Sequence, residues 1–401
     1  MSEAPKSTRS EVGMLPAEVR ELFPGARTCT YLDVASRGLM PGAALDIVTR
    51  RVRDRMLGMA DKHQYFEFVE SYRNKVAQLI SAGPDEIATS KNVSEGLNAI
   101  AASIDWKAGD EVFYCASVEH PNNVYTWRNL TRTGVIVRDF PAPDGVVPIE
   151  DMLRAISPKT RVITVSTTTF QPGFRTDIHS LGEGCRSRGV RLVVDAAQSA
   201  GITHLDVTKT NVDAVAGSTQ KGICGLYGCG FLYVKKEFAN SLHPVYLARF
   251  GVDFPGDSHE ADYNAGEYKL REGALRFDLG NYNFLAAEVA ASSLDILLAY
   301  GTQRIDAHVT TLAERFVAAL KNLGVSLADS PRARRANIVC ARTNEGALQG
   351  AVEAVHAYLH SRGVRCAPRR GFLRFSFHLY NNTEDVEAAA AAIKSWINGQ
   401  R

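Results

Sequence analysis

Two periods of apolar residues alternate along this chain. Short runs dense in β-branched and apolar residues predict strands at Ile87-Ala88-Thr89, Glu111 to Cys115, Val135 to Val137, Val162 to Ser166, Arg191 to Ala196, Val212 to Ala216 and Gly230 to Val234. Around and between them lie stretches with helical spacing: Ala43 to Met56, Phe66 to Ile80, Leu97 to Ile104, a helix through Trp127, Ile149 to Ile156 and Ile178 to Arg188. Ser81-Ala82-Gly83-Pro84 marks a helix stop. The alternation over residues 85 to 235 predicts an α/β fold with a mainly parallel, doubly wound sheet. After Tyr282-Asn283-Phe284 a long helix is expected to Tyr300 and a second over Gln303 to Leu323. Strands at Ile338 to Ala341 and Leu373 to Phe377 then alternate with helices, as in a smaller α+β domain. Residues 1 to 30 read as an arm and a short helix, and Tyr31-Leu32-Asp33 as a brief strand. The expected organisation is an arm over 1–40 that joins the small domain, a large domain over 41–282 and the small domain over 283–401.

Composition narrows the classes. The 401 residues are 45% hydrophobic and 22% charged, which is ordinary globular composition, ample for a large core. A net charge of +2 points to neither nucleic acid nor an anionic membrane as partner, and basic clusters such as Arg50-Arg51-Val52-Arg53 and Arg332-Ala333-Arg334-Arg335 read as solvated faces. No stretch approaches the uninterrupted apolar length of a membrane span, and MSEAPKSTRSEVG contains no apolar signal segment, so a cytoplasmic location is expected. The seven cysteines are odd in number, scattered and without a CxxC pair, which fits reduced thiols; Cys224 and Cys229 with the histidines give no zinc spacing.

Candidate chemistry is concentrated between Arg191 and Gly230. The strand ending at Asp195 places a carboxylate, with Gln198 three residues on, beyond the carboxyl end of a sheet strand, where ligands of open α/β sheets bind. The strand after it runs into Gly217-Ser218-Thr219-Gln220-Lys221-Gly222, a small polar loop carrying one lysine. Either residue alone reads better as a surface lysine or a turn-capping aspartate. Together they match pyridoxal phosphate, which needs a lysine for a Schiff base and an acid facing its ring nitrogen. The turn Ser90-Lys91-Asn92-Val93-Ser94-Glu95-Gly96 opens a helix and offers a phosphate site, or simple N-capping. His120, at a strand-to-helix turn, reads as a structural residue or as a ring over the cofactor with a part in proton transfer. Small residues in Ala35-Ser36-Arg37-Gly38-Leu39-Met40-Pro41 point to backbone exposed to a ligand.

Taken together, these positions resemble the class V aminotransferase family of fold type I pyridoxal-phosphate enzymes, which includes cysteine desulfurases, isopenicillin N epimerase-like proteins and kynureninases. The resemblance runs from Tyr31 to Asn398. It is carried by Val194-Asp195-Ala196-Ala197-Gln198, Ser218 to Lys221, Glu119-His120, Asn92-Val93-Ser94-Glu95-Gly96, Gly173-Phe174-Arg175-Thr176-Asp177, and Arg374-Phe375-Ser376-Phe377-His378-Leu379-Tyr380-Asn381-Asn382. It implies that the large domain binds pyridoxal 5'-phosphate, with Lys221 holding it as a Schiff base and then acting as acid and base. Asp195 would face the pyridine nitrogen, Gln198 the ring hydroxyl, and His120 would stack on the ring. Val93, Ser94 and Ser218 would bind the phosphate; Gln220, where many relatives have histidine, would keep a phosphate contact. Relatives also reach the phosphate with a residue of the partner subunit, and Phe277-Asp278-Leu279-Gly280-Asn281 is the matching stretch, with Asn281 where threonine is common. A homodimer with its active site at the subunit interface is therefore implied. Arg374 would anchor the α-carboxylate of an amino-acid substrate, assisted by Thr169 or Gln171.

The resemblance leaves the reaction open. Desulfurases carry a nucleophilic cysteine on a loop well before the carboxylate-binding arginine, whereas Cys366 is only eight residues before Arg374 and reads as a strand cysteine. The first expectation is a lyase-type Cα/Cβ reaction, β-elimination with C–S cleavage of a cysteine-derived amino acid, through an external aldimine and a quinonoid. An aminotransferase or an epimerase is the alternative. A non-catalytic, cofactor-binding protein is a further class, against which an intact Lys221 argues. Tyr125, Trp127, Tyr246, Arg249 and Phe250 are expected to line the substrate pocket, and Tyr246 to His259 reads as a lid or as a loop over the dimer seam.

Overall fold

The computed structural model describes residues 17–255, 261–263, 266–328, 332–350 and 352–399. The start of the arm, residues 1–16, lies outside them. Its strands are β1 Thr30–Tyr31, β2 Ile87–Ser90, β3 Glu111–Tyr114, β4 Ile136–Asp139, β5 Thr160–Ser166, β6 Arg191–Asp195, β7 Ala214–Ser218, β8 Gly230–Val234, β9 Ile338–Arg342, β10 Val364–Arg365, β11 Ala367–Arg369 and β12 Phe372–Ser376. Seven of them form the main sheet in the order β2-β8-β7-β6-β5-β3-β4. Every neighbouring pair from β7 to β4 is parallel; β8 alone is reversed, antiparallel to both β7 and β2. The reversal has a covalent cause. A parallel return needs a crossover of a dozen or more residues, usually a helix, and the chain from Thr219 to Cys229 contains none.

Successive residues of β6 explain its unbroken apolar run. Leu192 and Val194 enter one apolar cluster, Val193 the other, and each is at most 1% exposed. Side chains of a strand alternate between faces, so a sheet covered on both sides needs apolar residues at every position. The first cluster continues through Phe316, Leu359 and Phe375 of the C-terminal part of the chain. There β11, β12 and β9 make an antiparallel sheet, and β1 pairs in parallel with β10, which fastens residues 30–31 to the C-terminal part of the chain.

Boundaries moved where side chains cap helices. The helix expected from Leu97 starts at Val93, because Asn92 Oδ1 accepts a hydrogen bond from the Glu95 amide at 3.0 Å. The helix expected from Phe66 starts at Lys62, where Asp61 accepts from the His63 amide at 2.9 Å. The strand expected at Cys366 is two short pieces, β10 and β11, which flank that residue. Between them lies Cys366, which is buried. Among the described residues no single helix is long and apolar enough to cross a membrane.

Candidate active site

The register of the sheet gathers the chemistry. Ser166 of β5 pairs with Asp195 of β6, which pairs with Ala216 of β7, so the carboxyl ends of three strands open on one edge. A cleft of about 430 Å³ lies there. Val93, Ser94, His120, Asp195, Gln198, Ser218, Gln220 and Lys221 all line it, together with Lys91, Asn122, Phe170 and Tyr227. The expected residues come from four separate segments, and Phe170 joins them from another.

The lysine loop is built rather than merely tethered. Thr219 Oγ1 donates to the carbonyls of Leu226 at 2.6 Å and Cys229 at 3.0 Å, and the Gly225 amide returns to the Thr219 carbonyl at 2.8 Å. The Gly38 amide donates to the Gln220 carbonyl at 2.9 Å, and His378 Nε2 lies 2.7 Å from the Gly222 carbonyl. A side chain at Gly38 would stand 2.2 Å from the Lys221 carbonyl oxygen, so only glycine lets the arm cross the loop this closely. Lys221 is held half-buried. Desolvation by burial, opposed by the attraction of Asp195 and reinforced by Arg374 and Arg369, lowers its ammonium to about 8.

Asp195 is buried and accepts the Ala197 amide at 2.7 Å. Burial raises its carboxyl, against that hydrogen bond and the charge of Lys221. Beneath it sits Glu119, 0% exposed, accepting from the Ser166 amide at 2.6 Å, the Ser166 hydroxyl and Asn123 Nδ2 at 3.0 Å. Burial and the charge of Asp195 raise Glu119 to about 7. His120 N-caps the helix Pro121–Arg128 through Nδ1, 3.1 Å from the Asn122 amide, and meets Phe170 edge-on at 4.8 Å. Burial and the cations Lys221, Arg370, Arg374 and Arg369 lower it to about 4, so the ring is neutral in ordinary conditions.

Pyridoxal 5'-phosphate fits what these residues leave unfinished. Ser218 Oγ and Gln198 Oε1 are buried and have no hydrogen-bond partner among the described residues, although Gln198 Nε2 donates to the Ala35 carbonyl at 3.2 Å. An orphaned buried oxygen is costly unless a ligand completes it. The helix Val93–Ser103 starts at the same wall and offers unpaired amides for a phosphate. Lys221, Asp195, Gln198 and His120 would supply the amine, the acid, the hydroxyl partner and the flanking ring.

Other sequence expectations are redistributed. Arg374 is 1% exposed, its Nη2 donates to Ser36 Oγ at 3.0 Å, and its Nε and Nη1 have no partner among the described residues. Its guanidinium lies 5.2 Å from the centre of the Phe170 ring. Phe170 thereby joins the arginine to the cleft, a role that no sequence signal announced. Thr169 Oγ1 accepts from the Gly173 and Phe174 amides at 3.1 and 3.0 Å, so it shapes the loop that presents Phe170. Trp127 is a correction: it is fully buried, with Nε1 donating to Asn123 Oδ1 at 2.9 Å, because the helix carrying it turns that face to the core. Tyr125 and Tyr246 are exposed, and Phe250 stacks on Phe66. Residues 256–259 of the expected lid stretch lie outside the described residues. Asn281, with φ 44°, lines a second cavity of about 420 Å³ that shares Lys91 and Gly228 with the cleft. Its segment is pinned by Asp278, which pairs with buried Arg73 at 2.6 Å and accepts from the Thr89 amide at 2.9 Å.

Comparison with known proteins agrees with this geometry. The family model for class-V aminotransferases matches residues 54–389. The chain is 31% identical to an uncharacterized aminotransferase, YcbU, of Bacillus subtilis, over 94% of this chain and 96% of that protein. It is 27% identical to a probable cysteine desulfurase of Methanothermobacter thermautotrophicus, over 93% and 96% of the two chains. Its fold superimposes on a cysteine desulfurase from Thermococcus onnurineus with a TM-score of 0.84 at 24% identity, covering 98% of this chain and 99% of the other. The chain belongs to the class V aminotransferase family of fold type I, pyridoxal-phosphate-dependent enzymes.

Proposed function

We propose that this enzyme is a lyase that cleaves a modified α-amino acid by β-elimination, with C–S cleavage of a cysteine-derived substrate as its reaction. The observation that supports it is the hairpin joining β11 and β12. Arg369 pairs with Phe372, so Arg370-Gly371 alone makes the turn, with φ 43° and 81° as a two-residue type I′ turn requires. No room exists there for a loop carrying a nucleophilic cysteine toward Arg374. None of the seven cysteines lines the cleft, and burial pushes the Cys366 thiol up to about 12. Persulfide formation needs a reactive thiolate at the substrate sulfur, whereas a sulfur that leaves as thiolate needs none.

In this reading Arg374 holds the α-carboxylate with the two donors it leaves unpaired. Lys221, as a free amine, takes the Cα proton. The bound cofactor supplies the electron sink for the charge at Cα, with Asp195 holding the proton on its ring nitrogen. The Cβ–S bond breaks with its electron pair going to sulfur, which takes up a proton to leave as a thiol. Hydrolysis of the remaining three-carbon enamine consumes one water and gives pyruvate and ammonia. Incubating the holoenzyme with cysteine S-conjugates tests this: pyruvate and thiol in equal amounts are expected. The relative named as an aminotransferase favours a second reading, transamination; a keto acid retaining the sulfur, with no thiol released, overturns elimination in its favour.

The enzyme is further proposed to act as a homodimer in a reducing compartment such as the cytoplasm. Leu45, Val52, Met56, Leu57 and Met59 are exposed along and just after the helix Ala43–Met56, a patch that supports a covered face. Asn281 stands outside its own cleft, as a residue serving a partner would. Unpaired cysteines, six of them buried, support reducing surroundings. A molecular mass near the monomer value by light scattering would remove the dimer.

A further inference from the structure

The corner around Arg374 contains more positive charge than one carboxylate requires. Arg369 Nη2 donates to Ser36 Oγ at 3.1 Å, the same oxygen that accepts from Arg374 at 3.0 Å. Ser36 Oγ in turn donates a hydrogen bond to Asp33 Oδ1 at 2.7 Å. On the hairpin, Ala367 faces Arg374, and Arg369 lies two residues from Ala367, so both arginines stand on one face of the strand pair. Arg370, at the first turn position, sets its guanidinium 5.7 Å from the centre of the Phe170 ring, on which Arg374 also lies. Phe170 lines the cleft.

Counter-charge is scarce. Among the described residues, no carboxylate comes within ion-pair distance of Arg369, Arg370 or Arg374. Asp33 is the acid whose field Arg369 and Arg374 share. An α-carboxylate on Arg374 would answer one guanidinium. That carboxylate would take the two donors Arg374 leaves unpaired, while Arg369, half-buried, and Arg370, exposed at the turn, would remain beside the site without a carboxylate partner among the described residues. The turn that excludes a cysteine loop is what brings them there, since a longer connection would carry both arginines away from Phe170.

We infer that the substrate's side chain carries a second anionic group, a carboxylate or a sulfur oxyacid, bound by Arg369 and Arg370 beside the α-carboxylate site. The inference rests on the reading that the cleft binds an α-amino acid, and it holds whether or not elimination follows. Arg369 and Arg370 are then specificity residues, and the neutral analogue of a good substrate is a poor ligand because it leaves both cations unpaired.

Absorbance titration of the holoenzyme separates these claims. The probes are two pairs differing by an acid for an amide: L-aspartate with L-asparagine, and S-carboxymethyl-L-cysteine with S-carbamoylmethyl-L-cysteine. The acid of at least one pair is expected to half-saturate at a concentration about tenfold or more below its amide. Arg369→Gln and Arg370→Asn should each collapse that ratio toward one. Asparagine suits the left-handed first position of the turn, so the second variant keeps the hairpin. Equal half-saturation of acid and amide in both pairs overturns the inference, as does a ratio that survives both substitutions. Thiol release from both cysteine conjugates without preference would leave elimination standing and this inference refuted. An acid preference without pyruvate or thiol would do the reverse.

Discussion

Replacing Lys221 by methionine in the apoprotein measures how far the fold strips the amine of water. The cleft lowers this ammonium from the ordinary 10.5 to about 8. The unfolded chain keeps the ordinary value, so between the two values it binds more protons than the folded chain, and stability rises with pH. The penalty is present in full below the folded value and is relieved as pH climbs toward the unfolded one. From roughly pH 7 to roughly pH 10 the native apoprotein should therefore gain about 2.5 kcal/mol from this one group. Lys221→Met lacks the group, and ionisations common to both proteins cancel in the difference. The assay is urea denaturation of both apoproteins across this range, read as the difference in unfolding free energy. The difference should climb with a limiting slope of about 1.4 kcal/mol per pH step. A flat difference refutes the claim that burial and the neighbouring arginines desolvate Lys221; a falling one refutes even its sign.

Ser218→Ala should leave apoprotein stability within about 0.5 kcal/mol, because the lost hydroxyl has no partner, yet weaken cofactor binding about tenfold by titration; an equal loss in both would mean an internal partner. With His120 held at about 4, the rate profile should show no ionisation from this ring between roughly pH 5 and pH 8. An acidic limb in that window that disappears in His120→Phe refutes this. Arg73→Met strands the buried Asp278 carboxylate and should cost about 3–5 kcal/mol in urea denaturation, of which Arg73→Met with Asp278→Leu should recover a large part.

Much of the site was legible because it is written in local pattern. An apolar run that stops at Asp195, a small polar loop at Lys221 and a capped turn at Val93 and Ser94 are short-range features, set by strand period and helix capping, and all three line the cleft. The helix through Trp127 shows the limit of the same reasoning. Periodicity located the helix but not which face it buries, and Trp127 went to the core through Asn123.

Charge and contact were decided only in the folded chain. Phe170 carries no motif, and its place between His120 and Arg374 depends on the loop that Thr169 organises. Arg369 and Arg370 carry no sequence signal of their own; the turn of β11 into β12 brings Arg369 to the Ser36 oxygen, 333 residues away, and Arg370 to the Phe170 ring, 200 residues away. The lowered lysine and the neutral histidine follow from burial and from cations on distant segments. The sequence by itself determined the order of elements, most of the residues that meet at the cleft and the kind of chemistry they support, because each depends on neighbours a few positions away. The tertiary structure alone decided which strand runs backwards, which face of each helix is buried, and how much positive charge surrounds the substrate, because solvent exclusion and long-range packing set all three.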